Sequence, residues 1–254
     1  MTLVAPAQSK SNAAAFSAYI DITFDTTPTV GSQIIVCVGV NGSPTWPSGC
    51  TVTDNQGNTY TNDVAKVGAT GIQSGIWSAP ADTASGTFIV TVAVTPTNDI
   101  AALILEEAGT TATPIDATQS GSAADANPDT GATATLAQAD ELAVAMFYLN
   151  ASTFPTTITP DSYTKIADVQ VPARQRGITV AYNLPYATTA QQETWTISGH
   201  LNPSWAATIA TYKGTGPWSD VTGTATATIV EADIKTVGSK TIIITLTGDT
   251  WIAS

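Results

Sequence analysis

Charge is scarce in this 254-residue chain: Asp, Glu, Lys and Arg together make up 11% of it, less than half of the roughly 25% usual for a soluble domain. The Glu, Lys and Arg that populate exposed helix faces are therefore nearly missing, and Thr, Ser, Asn and Gln must supply the polar surface. Thr is β-branched and suits the pleated strand, so the composition predicts very little helix. Positive charge is scarcer still, with 8 Lys and Arg against 20 Asp and Glu and a formal net charge of −12. An acidic field repels phosphate backbones, which need clustered cations for counterion release, and nucleic acid is excluded as an expected partner. Arg174 and Arg176 are the one close basic pair; they read as a solvated hairpin edge and receive no role.

Histidine is represented once, by His200 in SGHLNPSW. A zinc site needs three or four convergent ligands, and a Ser-His-Asp set needs a nucleophile such as the G-x-S-x-G serine; neither surrounds His200. Glu106 and Glu107 are adjacent on a predicted strand, where neighbours point to opposite faces, so they cannot flank one substrate as acid and base. The sequence therefore predicts no catalytic residues, no cofactor and no metal, and no enzyme activity. The 2 cysteines leave two readings open: Cys37 lies in a strand and Cys50 just before the next, compatible with a disulfide or with two small core residues. No apolar run approaches the ~20 residues of a membrane span. The opening MTLVAPAQSKSNAAAF lacks a basic region followed by an apolar one. The expectation is a chain made in the cytoplasm without a signal peptide and without a membrane partner.

What the sequence does have is alternation. Short period-two runs punctuated by Gly, Pro, Asn and Asp are the signature of a sandwich or barrel. The clearest spans 87–94, with Phe88, Val90, Val92 and Val94 on one face. Others cover 18–24, 33–40, 101–105, 142–149, 194–197, 206–211 and 241–247. Five segments recur in order. SQIIVCVGVNGS, TVTDNQGNTYTNDVAKV, GIWSAP, TFIVTVAV and IAALILEEAGT are matched by DELAVAMFYLNAS, TITPDSYTKIADV, ITVAYNLP, ETWTISG and WAATIATYKGT. Five matches in register predict an internal duplication. The predicted fold is all-β: two tandem Ig-like or jelly-roll-like β-sandwich domains plus a short C-terminal β segment. The boundaries are 1–118 for the first sandwich with its N-terminal arm, 119–131 for a small-residue linker, 132–215 for the second sandwich, and 216–254 for the tail.

TDNQGNTY superficially suggests a calcium loop but lacks the later acidic ligands of one; Gly57 and Asn58 make it a tight turn. Of the 6 tryptophans, Trp77, Trp195 and Trp205 fall on strands and read as core. Trp46 in TWPSG and Trp218 in GPWSD are loop aromatics that could stack on a sugar or anchor a protein. The tail strand KTIIITLT offers Ile242, Ile244 and Leu246 as an apolar face, followed by Trp251. A two-stranded unit is marginal alone, which predicts that this face meets an intermolecular partner.

TVTDNQGNTYT followed by GIWSAP, TFIVTVAV and ALILEEAGT resembles a β-sandwich module of bacteriophage virion structural proteins, also found in bacterial surface proteins. ATIVEADIKTVGSKTIIITLTGDTWIAS likewise resembles a segment of phage virion proteins. In the second half the D-x-x-G-N-T-Y turn is reduced to PDSYTK. The resemblance implies a virion structural protein (capsid decoration, head fibre, collar or tail surface) that forms homo-oligomers and packs on other virion proteins. It also implies a location in the extracellular particle, which a chain without an export signal can reach. A cell-surface adhesin or carbohydrate-binding module, with a host glycan as partner, is the alternative.

Overall fold

The structure, a computed structural model, describes residues 5–42, 45–151, 155, 157–198 and 203–215. These belong to one compact unit, Met1–Ser219. Its strands in chain order are β1 (Gln8–Thr23), β2 (Gln33–Asn41), β3 (Cys50–Asp54), β4 (Thr61–Val67), β5 (Ile72–Pro80), β6 (Ile89–Glu107), β7 (Thr110–Ala124), β8 (Glu141–Asn150), β9 (Ile158–Pro160), β10 (Thr164–Gln170), β11 (Arg176–Asn183), β12 (Trp195–Ile197) and β13 (Ser204–Gly214). The fold is all-β with antiparallel sheets, and no α-helix occurs among the described residues.

A six-stranded sheet runs β1-β6-β2-β5-β4, with β3 added against β6, and a five-stranded sheet runs β10-β11-β8-β13-β7. β9 and β12 form a separate pair. Within each half the strands stand in the same chain-relative order, since β7, β13, β8, β11 and β10 occupy the places of β1, β6, β2, β5 and β4.

The central strands are apolar on both faces, and this decides the architecture. In β2, Ile34, Val36, Val38 and Val40 enter one cluster with Val52, Phe88, Val90 and Val92, all from the first half. The intervening Ile35 and Cys37 enter another, with Leu142, Val144, Met146 and Tyr148 of β8. β8 in turn sends Ala143, Ala145, Phe147 and Leu149 to a third cluster with Trp195 and Ile197 of β12. The two large sheets therefore pack face to face over a shared core. The outer face of the first sheet is closed by β3 and by the stretches of β1 and β6 that carry Ile20, Ile22, Val90, Val92 and Val94, and that of the second by β9 and β12. Strands buried on both sides read as continuous apolar runs, as IIVCVGV and LAVAMFYL do.

Gly39 sets the closeness of the sheets. A Cβ built there would lie 2.1 Å from Cδ2 of Tyr148 and 2.4 Å from Cγ2 of Ile178, so the tyrosine ring rests on bare backbone. Tyr148 is fully buried.

Two sequence expectations change. Residues 119–124 are not linker: they complete β7, which pairs along β13 from Ser204↔Ala124 to Gly214↔Thr110. The strand 110–124 therefore belongs to the second sheet, although the boundary at 118 divides it. Small polar residues suffice there because an edge strand takes its order from ladder hydrogen bonds more than from its side chains. The halves are also not separated sandwiches; they meet through the shared core. Cys37 and Cys50 are both buried free thiols. They lie in different clusters, and burial pushes the Cys50 thiol up to about 12.

Candidate functional site

β1 breaks its register against β6 between Ala14 and Tyr19: Ala14 pairs Ile100, Ser17 pairs Asn98 and Tyr19 pairs Ala93. Such a bulge re-aims side chains. Phe16 at its crest has φ 49°, a left-handed conformation that costs a non-glycine residue roughly 1–2 kcal/mol. Its ring is 72% exposed, and Tyr19 nearby is 57% exposed. A large aromatic held outward at a conformational cost is an outlier from which a functional role can be argued.

A buried charge cluster holds it there. Asp99, with a side chain 2% exposed, meets Arg176 through Oδ2 and Arg174 through Oδ1 at 3.5 Å. The Phe16 backbone N–H donates to Asp99 Oδ1 at 3.2 Å. Arg176 Nε donates to Asn150 Oδ1 at 3.1 Å. The Arg174 guanidinium lies over the Phe16 ring, 4.2 Å from its centroid. Asp99 is buried while the Arg174 and Arg176 side chains stay 33% and 28% exposed, and the cluster ties β1 and β6 of the first half to β11 of the second. The pair Arg174 and Arg176, given no role from sequence, is thus half of the arrangement. An aromatic and an arginine side by side are the residue types that dominate protein interfaces.

Trp46 sits elsewhere and differently. It is half-buried, donates from Nε1 to the Ser74 carbonyl at 3.2 Å and packs edge-on against Trp77 with centroids 5.2 Å apart. Its ring packs against the first-half core. Trp77, Trp195 and Trp205 are buried as expected for core. Trp218, Ile242, Ile244, Leu246 and Trp251 lie outside the described residues, as does His200.

The Asp54 turn is filled from within. Its Oδ1 accepts from the backbone N–H groups of Gln56, Gly57 and Asn58 at 2.9, 2.8 and 3.1 Å. Its Oδ2 accepts from Asn58 Nδ2 at 2.8 Å and from the Tyr60 hydroxyl at 3.1 Å. This is the tight turn the sequence predicts. Glu106 is also structural, accepting from Gln8 Nε2 and from the Thr29 N–H, each at 2.6 Å. Among the described residues no three His, Cys, Asp or Glu side chains converge as metal ligands would.

A cleft opens between the halves, with β4 and β5 on one side and β7 on the other. Its volume is about 270 Å³, and Gln33, Asp63, Ser78, Pro80, Thr113 and Ile115 are among its walls. Asp63 Oδ2 accepts from the hydroxyl of fully buried Tyr212 at 2.8 Å. Burial pushes the Asp63 carboxyl up to about 6, against the opposing pull of Ser78 and Tyr212.

No family model, curated protein or solved structure matches this chain.

Proposed function

We propose that the protein is a structural subunit of a bacteriophage particle, a capsid decoration, head-fibre, collar or tail-surface component that works by self-association and by packing on other virion proteins, without catalysis. The observation that carries this reading is the Phe16 corner. A backbone with positive φ turns a large aromatic toward solvent, its N–H donates to buried Asp99, and the Arg174 guanidinium lies over its ring. A ring preorganised in this way loses little entropy on docking, and its arginine partner adds a second hot-spot side chain.

Three further features support it. β1 and β7 are long edge strands of 16 and 15 residues, and in an isolated sheet such edges are liabilities that assembly resolves by pairing. The repeated strand order agrees with two copies of one module, and we take the chain to be an internal duplication whose copies fused through their inner faces. The low charge agrees with surfaces that become covered.

The test is the protein inventory of purified particles of the virus that encodes the chain, by quantitative mass spectrometry. The reading expects the chain at a fixed ratio to the major capsid or tail protein. Its absence from particles that are otherwise complete would overturn the assignment.

A further inference from the structure

We propose that the cleft between β4, β5 and β7 is a binding site for a neutral polyhydroxylated ligand, a sugar residue, with Asp63 as its central acceptor. The inference stands apart from the virion reading, because it rests on the cleft alone.

Three observations select this chemistry. The first is charge. Asp63 lines the cleft, and Asp82 lines an adjoining hollow of about 480 Å³ that shares Gln33, Pro80 and Ala112 with it; no Lys, Arg or His is among the lining residues of either. An anionic ligand would meet like charge without a counterion. A lone carboxylate is also a poor metal site, since a hard cation takes about six or more oxygens.

The second is the count of hydrogen-bonding positions. A carboxylate offers about four acceptor positions. Tyr212 and Ser78 act on Asp63 as donors, which leaves about two, the number a pair of neighbouring sugar hydroxyls would use. Tyr212 is itself fully buried, so the carboxylate is oriented before any ligand arrives. Gln33 and the Thr113 hydroxyl can each donate or accept, as sugar hydroxyls require.

The third is the apolar surface. Pro80 and Ile115 face the same space, and they supply the C–H contacts that the faces of a sugar ring need. Convergent polar groups beside apolar surface in a concavity are the usual make-up of a small-molecule site. The cleft, at about 270 Å³, lies just below the roughly 300–1,000 Å³ such sites occupy, and the adjoining hollow, at about 480 Å³, lies within it.

The test is amide chemical-shift titration of the full chain with methyl glycosides of glucose, galactose, mannose and N-acetylglucosamine at millimolar concentrations. Methylammonium serves as a cationic probe and sialic acid as an anionic one. At least one neutral sugar is expected to shift residues 59–63, 78 and 112–115 saturably. Asp63→Asn should weaken it at least tenfold. Ala112→Trp, which fills the shared wall from an exposed position, should abolish it with the melting temperature unchanged. Immobilised host polysaccharide is compared with the free sugars: binding to either supports the site, and binding to the polysaccharide alone identifies a surface glycan as the source. Three results would overturn the proposal: no shift at these residues with any neutral sugar or polysaccharide, binding of the cationic or anionic probe alone, or undiminished sugar binding by both variants. None of these outcomes bears on whether the chain is found in particles, so this inference and the virion reading fail separately.

Discussion

Burial pushes the Asp63 and Glu141 carboxyls up to about 6 and about 7. Both lie above the ordinary values of roughly 3.9 and 4.3 that they would have in the unfolded chain. Between the two values the folded state binds more protons than the unfolded one, so stability falls as pH rises through the window from about 4 to about 7. Below that window both states are protonated; above it both are ionised and the folded state carries the full cost of two buried charges. For Asp63 alone a displacement of about two units corresponds to something on the order of 2–3 kcal/mol. Urea midpoints at pH 4.5 and pH 7.5 check this: the wild type should be less stable at the higher pH, and Asp63→Asn, which keeps an acceptor for Tyr212, should lose a large share of the difference. A midpoint that rises with pH in the wild type would contradict the assignment.

At the scale of elements, the closest dependence of fold on one position is Gly39 in β2. Any side chain there meets the Tyr148 ring of β8 at a distance no packed carbon tolerates, and overpacking of a tight core typically costs about 1–3 kcal/mol. Gly39→Val should cost at least that much in denaturant unfolding, and Tyr148→Leu in the same chain should recover part of the loss, because neighbours in contact are not additive. A neutral Gly39→Val would mean the sheets do not meet as described. The strands themselves were legible because alternation in 87–94 and the unbroken runs IIVCVGV and LAVAMFYL carry burial information directly. Those runs also signalled burial on both faces, which the reading of two separate sandwiches did not use. β7 was not legible: TTATPIDATQSGSAA has the composition of a linker, and only its pairing with β13 makes it a strand. The site was legible least of all. Phe16, Asp99 and Arg176 come together across sequence separations of 83 and 77, and nothing local to any of them announces the others.

For the molecule as a whole, the shared core makes the two halves one platform, and the Asp99 cluster lies where they join. In the proposed assembly, a contact residue anchored in both halves would pass its load to the shared core rather than to a single loop. In the proposed role, Phe16 is held outward for association at the expense of stability. Glycine occupies the left-handed region without penalty, so Phe16→Gly should relieve the backbone while deleting the ring. The direct measurement is sedimentation velocity of the full-length wild type and Phe16→Gly over a range of concentrations, with thermal melts of both. The wild type is expected to self-associate, the variant to dissociate at concentrations at least tenfold higher, and the variant to melt at an equal or higher temperature. Association of equal strength in the two chains, or a wild type that stays monomeric throughout, would contradict that role.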